Sequence, residues 1–126
     1  MSTTRRYNGR LTGKNLNFVA FPMGGMGAGM IALEGCGALS HVSIRNRPDL
    51  FNEPYVYAAL CIKGIGEGGR NVARVLEGPV PMRKIYGPPQ SGLGLATRTY
   101  GLPRFASASF RAKFPFATVS LRDKEL

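Results

Sequence analysis

The strongest constraint on this chain is its punctuation. From Asn17 onward the apolar residues come in short runs (NFVAF, MIALEG, GALSHVSI, YVYAALCIK, NVARVLEG, MRKIYG, ASASFRAK and FATVSLRD), each bounded by Gly, Pro or Asn. Gly lacks the Cβ that forbids positive φ, while Pro fixes φ and removes an amide donor. Runs bounded in this way turn before a helix can propagate. Several alternate instead: Val42 and Ile44 in SHVSI share one side, as do Val119 and Leu121 in ATVSL. That is the pattern of strands buried on one face. With 17 glycines and 9 prolines among 126 residues, composition agrees with many short strands joined by tight turns. The sequence therefore predicts an all-β fold, an antiparallel β-sandwich.

A chain of this length with 44% apolar residues supports one domain with a modest core. Residues 1–15 are polar and predict a flexible amino-terminal segment ahead of a domain at 16–126. Between Gly87 and Pro103, the residues Pro88, Pro89, Gly92, Gly94 and Gly101 interrupt any regular element, which predicts a long surface loop. The formal charge is +10, from 17 Lys and Arg against 7 Asp and Glu, and it raises the question of a polyanion partner. The cations are dispersed, with no run longer than two, which fits solvated surface better. No apolar stretch follows the charged start MSTTRRYNGRLTGKN, and none reaches the ~20 residues of a membrane span. The expected location is the cytoplasm.

Three candidate ligands for a metal, Cys36, His41 and Cys61, are scattered, whereas a structural zinc site takes about four nitrogen or sulfur ligands. Neither a metal nor a cofactor is expected. Cys61 lies in the apolar run YVYAALCI and is expected to be a buried thiol; Cys36, between two glycines, is expected in a turn. Gly64, Gly66 and Gly69 satisfy GxGxxG, but no acid lies between Glu77 and Asp123 to bind a ribose. A glycine-rich hairpin loop is the better reading. GRLTGKN fails as a phosphate loop, since its glycines are too close and Asn15 replaces the hydroxyl that would hold magnesium. In FPMGGMGAGMI the four glycines at 24, 25, 27 and 29 precede a strand rather than a helix. They predict a strand-to-strand crossing with close backbone packing. His41 has no orienting partner in the sequence and reads as a surface or partly buried strand residue. Asn46, Arg47 and Pro48 read as a turn. Phe105, Phe110, Phe114 and Phe116 are expected to pack between sheets.

Two segments, Phe18 to Pro48 (FVAFPMGGMGAGMIALEGCGALSHVSIRNRP) and Tyr86 to Val119 (YGPPQSGLGLATRTYGLPRFASASFRAKFPFATV), carry a resemblance. Their glycine-rich run, the Asn46-Arg47-Pro48 triad and the Phe114-Pro115-Phe116-Ala117-Thr118-Val119 order resemble the amino-terminal domain of glycoside hydrolase family 116, the family of the non-lysosomal glucosylceramidases. The resemblance covers about residues 11 to 126. It departs from the family pattern at Ser40-His41-Val42-Ser43, where most relatives carry an acidic and aromatic stretch.

The resemblance implies the early strands of a larger β-sandwich, an incomplete one, whose role is to support a catalytic (α/α)6 domain of a glucosylceramidase-like β-glucosidase. That carboxyl-terminal domain is the implied partner, and glucoside or glucosylceramide is met only through it. The family's Glu nucleophile and Asp acid/base belong there, so no catalytic residue is carried over to this chain. A retaining glycosidase needs two carboxyl groups about 5–5.5 Å apart. The acids Glu34, Asp49, Glu53, Glu67 and Glu77 read as turn residues, and Asp123 and Glu125 as a frayed end, so the fragment is expected to be inactive. The alternative is a small basic β-rich module that binds nucleic acid through its arginines and phenylalanines.

Overall fold

The computed structural model describes residues 7–25, 27–45, 47–49, 52, 56–81, 84 and 101–126. Its strands are β1 (Leu11–Thr12), β2 (Ala20–Met23), β3 (Met30–Glu34), β4 (Leu39–Ser43), β5 (Ala59–Ile65), β6 (Arg70–Val75), β7 (Ser107–Lys113) and β8 (Phe116–Arg122). A 3-10 helix, Gly13–Phe18, separates β1 from β2. Neighbours run antiparallel in three sheets, with orders β1-β7-β8, β2-β3-β4 and β5-β6. This is the all-β, sandwich-like architecture that the punctuation predicts, with turns where the glycines stand. Gly66, Gly68 and Gly69 close the β5–β6 hairpin at positive φ, as a hairpin loop requires and a dinucleotide turn does not.

Phe21 of β2 joins the first two sheets by meeting Phe110 of β7 at a ring separation of 6.1 Å and an interplanar angle of 56°. Such tilted pairs gain electrostatically as well as by area. The core residues are Ala32, Cys36, Val72, Val75, Phe105 and Phe110. The segment leaving β6 then crosses this interior, and its backbone groups need partners there. The Val75 amide donates to the Pro103 carbonyl at 2.7 Å, the Phe105 amide to Glu77 at 3.0 Å, and the Gly78 amide to Cys36 at 2.7 Å. Gly78 is required at that crossing, because a Cβ there would lie 2.5 Å from the Cβ of Ala108.

Four expectations are corrected. Cys61 is exposed, because β5 pairs only with β6 and is open along nearly its whole length. Phe114 and Phe116 are 86% and 73% exposed. They stand at the β7–β8 turn, beyond the reach of β1, which pairs no further along β7 than Phe110. Only Phe105 and Phe110 of the four phenylalanines enter the core. Ile44 falls just past the end of β4 and is exposed, so it does not continue the buried side of Val42. Finally, Asp123 and Glu125 are held by Arg74 rather than frayed. The strand expected at MRKIYG and the loop expected from Gly87 to Pro103 lie outside the described residues, apart from Lys84 and Gly101–Pro103.

Candidate functional site

Polar chemistry inside the molecule gathers at the end of β3. Strand alternation places Glu34 on the same side as Ala32, and both are buried. Lys84 crosses to it, with Nζ 2.5 Å from the Glu34 Oε1 and both side chains 8% exposed. The Cys36 thiol points at the other carboxylate oxygen, 3.7 Å away. Burial, and then the Glu34 charge, push the Cys36 pKa up from its ordinary 9.0 to about 11. At neutral pH this group is a thiol and not a nucleophilic thiolate. Beside it lies a cavity of about 380 Å³ bounded by Leu16, Pro79, Val80, Pro81 and Ala108. Its size suits a small molecule, but its walls are mainly apolar and offer few converging polar groups.

Two other ion-pair clusters pin the chain. Arg104 holds Glu77 at 3.0 Å with both side chains largely buried, fixing the crossing segment beside β6. Arg74 holds Asp123 at 2.9 Å and also Glu125, while Arg70 reaches Glu125 at 3.2 Å. The Arg74 guanidinium bonded to Asp123 holds that carboxyl below the usual carboxylate range. A general acid requires the opposite shift. Four carboxylates, Glu34, Glu77, Asp123 and Glu125, are thus structural anchors in ion pairs.

Glu34 was expected in a turn; it is a buried strand residue, and the alternation of MIALE was the signal that locates it. Its partner Lys84 lies 50 positions away, and Arg74 lies 49 from Asp123. No local pattern announces either pair. His41 sits half-buried on β4 with φ 51°. Arg47 is exposed, and Asn46 lies outside the described residues. The glycines from 24 to 29 form the β2–β3 turn. Gly29 packs as close as expected: a Cβ there would come 2.3 Å from the Ser43 carbonyl oxygen. Among the described residues, no three of His, Cys, Asp and Glu group as metal ligands, and no helix is long and apolar enough to cross a membrane.

A family model described as beta-glucosidase 2, glycosyl-hydrolase family 116 N-term matches residues 20–126. The match begins at Ala20, later than the resemblance from Leu11, and takes in β2 to β8. No curated protein matches the chain.

Proposed function

The chain belongs to the amino-terminal domain family of glycosyl-hydrolase family 116, and from that premise we propose that it is the accessory β domain of a β-glucosidase. In this reading it packs against and supports a catalytic helical domain, and contributes no catalytic carboxylate itself. The family match over residues 20–126 carries the reading. The geometry supports it, because acids locked to Lys84, Arg104 and Arg74 stabilise a scaffold and are not aimed at a cleft. A domain partner also has apolar surface to cover: Val56, Tyr57 and Leu76 are exposed and line one groove with Leu39. The substrate class, a glucoside or glucosylceramide, belongs to the catalytic partner.

The test mixes the chain with a separately produced family 116 β-glucosidase catalytic domain, and follows both association by size-exclusion chromatography and turnover of an aryl β-glucoside. The expected result is a complex of the two, with no turnover by the chain alone. Hydrolysis by the chain alone would overturn the reading, and so would the absence of any complex.

A further inference from the structure

Cations on this molecule fall into two groups. Arg70, Arg74, Lys84 and Arg104 are spent on ion pairs. Arg10, Arg111 and Arg122 are exposed and, among the described residues, pair with no carboxylate. All three of these border the outer face of the β1–β7–β8 sheet.

The register shows how that face is built. Thr12 pairs with Ser109 and Ser109 with Ser120, so a row of hydroxyls crosses three strands. The flanking row, Leu11, Phe110 and Val119, turns to the opposite side, where Phe110 is buried. Two depressions lie on the polar side. One, of about 270 Å³, is lined by Arg10, Ser109, Ser120 and Arg122 among others; the next, of about 500 Å³, by Tyr7, Asn8, Gly9, Arg10 and Arg111. Arg10 borders both, making them one groove, and no carboxylate lines either.

We propose that this groove binds a linear acidic polysaccharide, a chain of uronate sugars. The proposal goes beyond the accessory role and gives the domain a ligand of its own. A guanidinium fork matches a carboxylate in two parallel hydrogen bonds. The serine row offers donors and acceptors to sugar hydroxyls, and Tyr7, 90% exposed, gives a sugar ring one flat surface. A polyanion without hydroxyls would leave the serine row unused. A single-stranded nucleic acid fits less well, since its affinity rests on successive aromatic rings for successive bases. Here one aromatic residue, Tyr7, lines the groove.

The test is affinity electrophoresis of the full 126-residue chain through gels containing polygalacturonate, cellohexaose-type neutral glucan, or oligothymidylate, at low and high salt. The expected result is retardation by polygalacturonate alone, weakened by salt. Arg10→Gln and Arg111→Gln should each reduce that binding by about tenfold. Arg47→Gln, which removes an equal charge outside the groove, should leave it unchanged. All four of these side chains' backbones are solvent-exposed positions, so a melting curve matching the parent confirms that the variants fold. No retardation by polygalacturonate would overturn the proposal. Equal or stronger binding of oligothymidylate, or an equal loss in Arg47→Gln, would overturn it as well.

Discussion

The β2–β3–β4 sheet and the β5–β6 hairpin start from the same kind of sequence, short apolar strands joined by a glycine-rich turn, and end with opposite amounts of packing. In the first, Ala32, Glu34 and Ser40 are buried, and the turn glycine Gly29 touches the Ser43 backbone. In the second, Leu60, Cys61 and Ile62 are exposed, and Gly64, Gly66, Gly68 and Gly69 meet nothing within 4 Å of an added Cβ. Strand pattern and turn chemistry set the hairpins; what lies against each hairpin sets its burial. The contrast makes the first sheet sensitive to small changes and the second tolerant of them.

The largest effect is expected at the Glu34–Lys84 pair. Glu34→Gln leaves a buried ammonium without its counter-charge, which costs about 3–5 kcal/mol. The loss should be read as a lowered urea midpoint. Replacing both partners with apolar residues, Glu34→Leu with Lys84→Met, should recover most of it, because the desolvation of two charges disappears together. If the single change leaves the midpoint unmoved, the buried pair does not anchor β3 and the contrast between the two regions collapses.

Comparing the two turns directly sharpens the contrast. Both Gly29 and Gly68 have φ near 100°, at 99° and 102°, so alanine pays the same backbone strain, about 1–2 kcal/mol, at either position. At Gly29 the new Cβ also meets the Ser43 carbonyl oxygen at 2.3 Å, and backbone must shift. Gly29→Ala should therefore cost about 2–4 kcal/mol in all, and Gly68→Ala only its strain. Thermal melts of the two variants side by side measure the difference. Equal losses would mean that the β2–β3 turn has room the close approach denies.

Much of this architecture was legible, for identifiable reasons. Glycine and proline mark turns through local sterics, so seven of the runs met strands or strand starts near where they were expected. The hairpin at Gly66–Gly69 followed from the absence of a ribose-binding acid as much as from its glycines. Burial was less legible, because it depends on what another segment brings. Cys61 lies in an apolar run and is exposed; Phe114 and Phe116 are aromatic and stand beyond the last paired strand. Ion pairs were the least legible. Lys84 and Arg74 find partners about fifty residues away along the chain, a separation at which neither periodicity nor spacing carries information. Only Glu34's side of the pair left a trace, in the alternation of its own strand.

The two thiols test the same contrast chemically, with the smallest effect on stability. Cys36 has a folded pKa of about 11 against an ordinary 9.0, so the folded chain keeps its proton over a range where the unfolded chain has lost it. Stability from this group is fully present below pH 9.0 and declines as pH rises toward about 11. The total contribution is about 2 kcal/mol. Substitution by a group that does not titrate, Cys36→Ala, should flatten this stretch of the stability profile, while Cys61→Ala should leave it unaltered. Alkylation adds a second readout: at pH 8, iodoacetamide should modify the exposed Cys61 readily and reach Cys36 only when the chain opens, since both burial and protonation protect it. Comparable rates at the two positions would show that the corner of β3 opens as freely as the β5 edge, and the packing difference between the two regions would then be static geometry without consequence for the molecule's motion.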